Sequence, residues 1–542
     1  MSGARPDRMR GVVVCPQPLA AEIGAAVLSE GGNAFDAAIA TAFAQMLTDP
    51  HMCGLGGFGA ATFVAAGGAP AHLAFHARIG ARATPDMWVR DRRGALDLGG
   101  YTLFDDHRSN LGHRSVGTPG VVAGLAALHP CARLPWAALL HPTAALARQG
   151  FPAPGYVFDM LGRVSAPGLP TPVERMAHTP DSARLWCRDD GRTLKQPGDH
   201  WANHEMADTL DRLAAAGAAD FYRGDLARAI ARELGRGGGY VTEEDLARYA
   251  PRLGPPAQGR FRGLSVHSST PPGGGVTLLQ MLHIVDRFPP GAPEEPASAV
   301  LAAQAMREAF AERRRTLGDP EFVAVPVDAL LGSAWAEAAV ERIKAGAPAP
   351  AVLAAAPGGT THLSTCDADG NAVALTHTLG LYSGVVVPGT GIALNSAMDN
   401  VDPVPGRPNS IAPGKARLSA MAPTIALEDG RLRLVVGSPG TNAIATSVFQ
   451  VIVGVVDHGL RPAEAVAAPR VHCEGGPVFV EGRVGAATRA ALRAEGFEVR
   501  VLPGNYVPSV GRNQLIVVDA DGRLTGASDP RRDGGVAVYS RA

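Results

Sequence analysis

The stretch Gly359-Thr360-Thr361-His362-Leu363-Ser364 decides how this chain is organised. It follows an Ala/Pro-rich run at residues 347–357 and opens a segment with the pattern of a β-strand. One interpretation is a linker followed by a β-hairpin, with Thr360 an ordinary residue at the start of a strand. The other is a cleavage site, because a cut before Thr360 would leave a nucleophilic hydroxyl beside its own base, an α-amine with a reference pKa of about 7.7–8.0. These residues alone favour the linker interpretation, so the rest of the chain must decide.

The composition is typical of a large globular chain, and its nearly neutral charge fits an enzyme that acts on a small molecule. The 542 residues are 46% hydrophobic, and a formal net charge of −1 gives no reason to expect nucleic acid or an anionic membrane as partner. The six cysteines are scattered without CxxC or zinc-type spacing, so we expect free thiols in a reducing compartment. The first residues lack the apolar segment of a signal peptide, and no apolar run approaches the roughly 18 residues of a membrane span. We therefore expect a soluble, cytoplasmic protein.

The pattern of elements changes near residue 359. Helical patterns dominate before it, at residues 19–28, 34–47, 125–149 and 297–345, with Asn33 and Thr242 as predicted helix caps. Short Val/Ile/Leu runs after it predict strands at 371–378, 384–387, 432–437 and 513–519, with helices at 443–458 and 487–495. The chain is therefore predicted to be α+β, with helices covering its sheets.

A glycine-rich stretch, Gly54-Leu55-Gly56-Gly57-Phe58-Gly59, has the spacing of a dinucleotide-binding loop. That loop needs a strand before it and a helix after it, whereas here a predicted helix precedes and a predicted strand follows. A tight turn with close backbone packing is the better interpretation.

Three features after Thr360 supply what acyl transfer would need. Thr376 and Thr378 alternate on a predicted strand, so one face presents hydroxyl groups. The turn Gly437-Ser438-Pro439-Gly440-Thr441 has small residues whose backbone N–H groups could converge on an oxyanion. Ser419, between two strand-like runs, adds a further hydroxyl. Each feature alone also has an ordinary structural explanation.

Eight further motifs or segments, spread in order along nearly the whole chain, belong together. They are Gly31-Gly32-Asn33-Ala34-Phe35-Asp36-Ala37-Ala38, Asp49-Pro50-His51-Met52-Cys53-Gly54-Leu55-Gly56-Gly57, Pro413-Gly414-Lys415, Asp529-Pro530-Arg531-Arg532-Asp533-Gly534-Gly535, and residues 271–280, 360–378, 391–399 and 437–441. On these motifs the chain resembles the γ-glutamyltranspeptidase (gamma-glutamyltransferase) family of N-terminal nucleophile hydrolases.

The resemblance implies a precursor that cuts itself between Gly359 and Thr360. Residues 1–359 would form a large, helix-rich subunit and residues 360–542 a small, strand-rich subunit that carries the nucleophile. Both would remain in one compact unit, a four-layer αββα sandwich built jointly by the two chains. The family implies no metal and no organic cofactor.

The resemblance also implies roles for individual residues. Thr360 would form the acyl-enzyme, and Thr378 matches the second threonine that supports it. The backbone amides of Gly440 and Thr441 match the oxyanion-hole pair. Ser419 matches the first serine of the Ser-Ser pair that binds substrate.

The substrate pocket departs from the family pattern. His76 stands at the place of the family's Arg-Glu pair and cannot reproduce a guanidinium fork, although Arg78 could substitute for that arginine. Gly380 replaces an asparagine, Asn400 replaces the aspartate that holds the substrate ammonium group, and Ala420 replaces the second serine. With Asn400 in place of the aspartate, recognition of the ammonium group loses a charge-assisted hydrogen bond, which is typically worth about 1.5–3 kcal/mol.

Three hypotheses follow for function. The first is cleavage of a γ-glutamyl, glutathione-like or related amide, with the acyl group passed to water or to an amine acceptor. The second is an amidohydrolase for another acyl group, similar to a cephalosporin acylase or an oxamate amidohydrolase. The third is a relative without catalytic activity that keeps the fold. The natural substrate, the acceptor, the balance of hydrolysis and transpeptidation and the oligomeric state stay open at this point.

Overall fold

A computed structural model describes residues 9–90, 94–95, 102–163, 168–346 and 359–540. The Ala/Pro-rich run at 347–357 lies outside these residues. The α-helices are α1 Pro18–Ser29, α2 Ala34–Thr48, α3 Val121–Leu128, α4 Trp136–Gln149, α5 Gly155–Arg163, α6 Pro172–Met176, α7 Pro180–Trp186, α8 His204–Ala216, α9 Ala219–Arg223, α10 Asp225–Arg236, α11 Glu243–Ala247, α12 Gly275–Val285, α13 Pro296–Thr316, α14 Val327–Leu330, α15 Ser333–Lys344, α16 Ala443–Val456, α17 Pro462–Ala467 and α18 Ala486–Ala494. Among these helices, none has the length and apolar character that crossing a membrane requires.

The strands are numbered in the same way. They are β1 Met9–Cys15, β2 Phe58–Val64, β3 Ala71–Phe75, β4 Gly94–Ala95, β5 Thr102–Leu103, β6 Phe151–Pro152, β7 His200–Trp201, β8 Arg252–Gly254, β9 Ala257–Phe261, β10 Leu264–Ser268, β11 Gly359–Asp367, β12 Ala372–Gly380, β13 Val386–Val387, β14 Ile392–Ala393, β15 Thr424–Glu428, β16 Arg431–Gly437, β17 Val471–Cys473, β18 Val478–Val480, β19 Val499–Val501, β20 Gln514–Val518, β21 Leu524–Ser528 and β22 Gly535–Ser540.

Two antiparallel sheets form the centre of the molecule. The first has the strand order β22-β1-β11-β12-β2-β3-β8, and the second has the order β21-β20-β16-β15-β10-β9. Their facing surfaces enclose a buried apolar layer, to which β1 contributes Val12 and Val14, β11 contributes Cys366, and the second sheet contributes Ile425 and Ile516. Helices α1 and α2 pack on the outer face of the first sheet, and α12 and α16 pack on the second. The predicted α+β class and the four-layer αββα arrangement are confirmed.

The first sheet combines strands that precede residue 359 in the sequence with strands that follow it. β1, from the beginning of the chain, pairs with β22 on one side and with β11 on the other. β12 pairs with β11 and with β2. Residues before and after Gly359 therefore share one sheet, while division of the chain into two subunits at this point stays a prediction.

The helix boundaries follow local capping chemistry. The Asn33 side chain accepts hydrogen bonds from the backbone N–H groups of Phe35 and Asp36, and the Thr242 hydroxyl accepts one from Asp245, so both predicted caps are confirmed. The single helix predicted at 125–149 is wrong. A 3₁₀ turn at His129–Cys131 separates α3 from α4, because Pro130 and Pro135 cannot continue the hydrogen-bond pattern of a helix.

The cysteines are present as free thiols, as the sequence predicts. All six cysteines are free, and five of them are buried. Within the described ranges, no group of three or more His, Cys, Asp or Glu side chains is placed to hold a metal ion.

Candidate active site

Thr360 lies at the beginning of β11, where the pairing with β12 is irregular. Gly359 faces Gly380 and Thr361 faces His377, so the register shifts at Thr360 as in a β-bulge. Bulges commonly redirect a side chain beside an active site. The Thr360 side chain is 4% exposed, and its Oγ1 lies within hydrogen-bonding distance of the Gly359 carbonyl oxygen and 3.2 Å from Thr378 Oγ1.

The carbonyl group of Gly359 is polarised from the side of Thr378. The Thr378 hydroxyl donates a hydrogen bond to the Gly359 carbonyl oxygen, and the Gly380 N–H donates to Thr378 Oγ1 at 2.8 Å. The Thr360 N–H donates to Met52 Sδ at 3.2 Å. The hydroxyl group of Thr360, the carbonyl group before it and a supporting hydroxyl group are therefore in mutual contact beside the Gly359–Thr360 peptide bond.

The turn at Gly440 presents unused backbone donors to the same place. Among the described residues, the N–H groups of Gly440 and Thr441 donate to no acceptor. Gly440 has φ +146, which favours glycine, and helix α16 begins three residues later. The positive end of the helix dipole adds to the two free N–H groups, so the turn suits a developing oxyanion.

A small pocket joins these parts. Eight of the residues predicted for the site line it: Gly359, Thr360, Gly380, Asn400, Ser419, Ala420, Gly440 and Thr441. Thr378 lies directly behind Thr360. The sequence predictions for the nucleophile, the oxyanion turn and most of the substrate pocket thus converge on one place in the structure.

His76 and Arg78 lie outside the lining of this pocket. His76 is buried just after β3, where burial lowers its pKa to about 3 and neither ring nitrogen has a partner among the described residues. The Arg78 guanidinium lies 3.5 Å from Glu321 and 5.8 Å from the ring centroid of Tyr249. In this structure neither side chain is placed to bind a substrate carboxylate in the pocket.

Comparison with known proteins identifies the family. The sequence profile described as gamma-glutamyltranspeptidase matches residues 20–539. This chain belongs to the gamma-glutamyltranspeptidase family. It is 35% identical to the glutathione hydrolase proenzyme of Escherichia coli (strain K12), over 96% of this chain and 90% of that protein. It is 34% identical to the acylase ACY 1 proenzyme of Pseudomonas sp. (strain SE83), over 97% of this chain and 93% of that protein.

Solved structures agree with the family. The crystal structure of cephalosporin acylase from Bacillus halodurans superposes with a TM-score of 0.84 at 28% identity, covering 100% of this chain and 99% of the other. Since these relatives are named as hydrolases and acylases, the chain is an N-terminal nucleophile amidohydrolase of the gamma-glutamyltranspeptidase family.

Arg417 and Asp399 are two residues of the family pocket that the sequence analysis missed. Both line the pocket, and the Arg417 guanidinium forms an ion pair with the Asp399 carboxylate. Ser396 Oγ donates to Asp399 Oδ2 at 3.1 Å. Burial raises the pKa of Asp399, and Arg417 opposes that rise. The available signal was spacing, because Arg417 precedes Ser419 by two residues and alternate residues of an extended segment share a side.

A second guanidinium lies behind Ser419. Arg313 Nη2 donates to the Ser419 carbonyl oxygen at 2.8 Å, and burial lowers the pKa of Arg313 to about 10. Arg313 Nη1 and Arg417 Nε are buried and have no acceptor within the described part of the chain. Arg313 does not line the pocket, and the nearby Glu474 carboxylate acts to raise its pKa. Arg417 and Asp399 are thus the charged side chains in the described lining, and Arg417 keeps one N–H group, at Nε, without an acceptor.

The glycine-rich family motif holds the strand that carries Thr378. A Cβ atom on Gly57 would lie 2.6 Å from the Thr378 carbonyl oxygen, and one on Gly59 would lie 2.3 Å from that of Thr376. Gly57 lies in the connection from α2 to β2 and Gly59 lies in β2, and both let the backbone there lie against that of β12. The predicted tight turn with close backbone packing is confirmed.

Proposed function

We propose that this protein is a self-processing threonine amidohydrolase and acyltransferase, with Thr360 as the nucleophile. The observation that carries the proposal is the contact of the Thr360 hydroxyl with the Gly359 carbonyl group, in the pocket that the free N–H groups of Gly440 and Thr441 line. The retention of all these parts argues against a relative without catalytic activity.

Self-cleavage is the first reaction in this proposal. Thr360 Oγ1 attacks the carbonyl carbon of Gly359, the C–N bond breaks, and the nitrogen takes a proton to become a free amine. The product is an ester between Gly359 and the Thr360 side chain. Water then hydrolyses the ester, leaving residues 1–359 and residues 360–542 as two chains in one folded unit.

The mature enzyme uses the same hydroxyl on an external amide. The freed α-amine of Thr360, with a reference pKa of about 7.7–8.0, accepts the proton of the hydroxyl as it attacks the substrate carbonyl carbon. The oxyanion receives hydrogen bonds from Gly440 and Thr441, each worth about 10²–10³ in rate. The acyl group on Thr360 then passes to water or to an amine. A γ-glutamyl, glutathione-like amide is the first substrate class, in agreement with the glutathione hydrolase relative.

The charge of the pocket favours a second substrate class. Asn400 offers no carboxylate to a substrate ammonium group, and Asp399 is already held by Arg417 and Ser396. The Arg417 guanidinium, whose Nε–H has no acceptor within the described residues, instead favours an acyl group that carries a carboxylate and no α-amine, such as the acyl part of a dicarboxylic acid monoamide. The acylase relatives agree with an amidohydrolase of this second type.

A denaturing gel with Thr360 variants tests the proposed function. We expect the purified wild-type protein to show two chains, with Thr360 as the N-terminal residue of the smaller one. Thr360→Ala should show a single chain and no turnover of either amide class. Thr360→Ser is the matched control, because it keeps a hydroxyl and should be cut, though more slowly. Two chains in the Thr360→Ala sample, or an uncut wild-type protein, would overturn the assignment of Thr360.

A further inference from the structure

A buried histidine lies on the other side of the proposed cleavage site. A second, narrow cavity is lined by Gly359 together with His51, Leu161, Arg175 and Leu381. A Cβ atom on Gly359 would lie 3.3 Å from the His51 carbonyl oxygen, so the two residues are neighbours. This cavity has room for about one water molecule beside Gly359, in a place that differs from the pocket of Thr360.

The imidazole of His51 has the surroundings of a proton acceptor. His51 is 3% exposed, and neither ring nitrogen has a hydrogen-bond partner among the described residues. Its Nδ1 lies 3.2 Å from Asp49 Oδ1, an ion-pair distance without the alignment of a hydrogen bond. Asp49 favours the tautomer with the proton on Nδ1, which leaves the lone pair of Nε2 free. Trp186 packs edge-on against the ring at 5.9 Å between centroids.

Burial, together with two nearby arginines, keeps the imidazole of His51 neutral. Burial lowers the pKa of His51 to about 4, Arg532 and Arg512 lower it further, and Asp49 raises it. The Asp49 carboxylate is itself held by Gln17 and Arg532. At neutral pH the imidazole can therefore accept a proton, and the aspartate stabilises the imidazolium that forms.

We propose that His51 is the general base for hydrolysis of the ester in self-cleavage, an inference that rests on the proposed function. Water in the cavity gives a proton to His51 Nε2 as its oxygen bonds to the carbonyl carbon of Gly359. The bond from that carbon to Thr360 Oγ1 breaks, and Oγ1 takes the proton back from the imidazolium. The net change is one water consumed, with a new carboxyl group on Gly359 and a restored hydroxyl group on Thr360.

The test traps the ester in a His51→Gln variant. Glutamine has a similar size and is a very weak base, and general bases typically contribute about 10²–10⁴ in rate. We expect His51→Gln to be processed at least about 100-fold more slowly. Neutral hydroxylamine should then cut the accumulated ester, giving a large chain that ends in the hydroxamate of Gly359 by mass spectrometry. The chain contains no Asn–Gly bond, a common site of unwanted cleavage by hydroxylamine.

A matched control separates this role from a structural one. His72, also buried with a pKa lowered to about 4, lies on β3 outside the proposed site, so His72→Gln should be processed like wild type. Processing of His51→Gln at the wild-type rate would overturn the inference and leave the new α-amine as the base. A folded His51→Gln precursor that hydroxylamine does not cut would also overturn it, because the block would precede the ester. An uncut wild-type protein would instead refute the proposed function.

Discussion

Arg417 places a positive charge in the lining of the pocket. The family resemblance instead leads us to expect a carboxylate there that binds a substrate ammonium group, at the position of Asn400. Arg417 shares Asp399 with Ser396, and the neighbouring Asn400 carries no charge. A substrate carboxylate near this guanidinium would gain a charge-assisted hydrogen bond of about 1.5–3 kcal/mol. An ammonium group would meet the charge of Arg417, the neutral amide of Asn400 and a carboxylate, Asp399, that Arg417 already pairs with.

We therefore predict that Arg417 discriminates between acyl groups. Arg417→Gln should lower kcat/KM for a glutaryl anilide by about 10- to 100-fold, while an uncharged butyryl anilide should change little. Asp399→Asn, which frees the guanidinium, should act in the opposite direction. Asn400→Asp restores a carboxylate and should raise turnover of a γ-glutamyl anilide. The measurement is release of the aniline by fully processed protein.

The control for Arg417→Gln is the double variant Arg417→Gln/Asp399→Asn. Removing Arg417 alone leaves a buried carboxylate unpaired, a change that typically destabilises a protein by about 3–5 kcal/mol. The double variant removes that penalty and should keep the same loss of glutaryl turnover. Equal losses for glutaryl and butyryl anilides would show that Arg417 supports the fold and does not select the acyl group.

At the scale of single residues, residues in local motifs were easier to place in the pocket than residues assigned only by their position along the chain. Thr360, Gly440 and Thr441 belong to local motifs, and the structure brings them to one pocket. His76 and Arg78 were placed in the pocket by position along the chain alone. Which side chains face a pocket depends on packing between distant segments, so the sequence alone does not place Arg417 in it.

Among the elements, the glycine-rich turn before β2 controls the position of β12. Gly57 and Gly59 lie against the backbone of the strand that carries Thr378. A side chain there meets backbone atoms, which cannot move away as a flexible side chain could. The turn therefore couples the connection after α2 to the hydroxyl that polarises Gly359.

We predict that Gly57→Ala impairs processing more than a typical surface substitution would. Its Cβ would lie 2.6 Å from the Thr378 carbonyl oxygen, so β12 must shift by several tenths of an ångström or more. We expect a loss of about 1–3 kcal/mol in unfolding free energy and slower appearance of the two chains. Gly254→Ala, at the end of β8 with nothing within 4 Å of the new Cβ, is the control. Equal behaviour of the two variants would contradict the coupling.

Elements were predictable where a local signal dominates. Asn33 and Thr242 fix the starts of helices by capping, and the alternation after Thr360 predicts β11 and β12. The helix at 125–149 failed because composition favoured it while two prolines broke it. Strand order could not come from the residues alone, because the pairing of β1 with β22 joins the two ends of the chain.

At the scale of the whole molecule, buried neutral histidines make stability depend on pH. Burial lowers the pKa of His51, His72, His76, His362 and His377 to about 3 or 4, from an ordinary value of 6.5. Between these values the unfolded chain binds protons that the folded protein does not. The free energy of unfolding therefore falls as pH drops below about 6.5, by up to about 1.4 kcal/mol per histidine and pH unit.

We predict a marked loss of stability between pH 7 and pH 5. The urea midpoint of the wild-type protein should fall over this range, and His72→Gln should show a shallower fall because one titrating group is gone. Asp399, whose pKa burial raises, acts in the opposite direction, but it is one group against five. A urea midpoint that stays constant down to pH 5 would refute the neutral state of these histidines.

The bulge at Thr360 has a consequence for how this protein can be studied. The Thr378 hydroxyl reaches the Gly359 carbonyl only when β11 has paired with β12, and β11 also pairs with β1 from the beginning of the chain. On the proposed chemistry, a molecule is cut only after it has folded. The ratio of cut to uncut chain on a denaturing gel would then record, irreversibly, what fraction of molecules ever reached the native state. A molecule that had folded and later unfolded would still be distinguishable, as two chains, from one that had never folded.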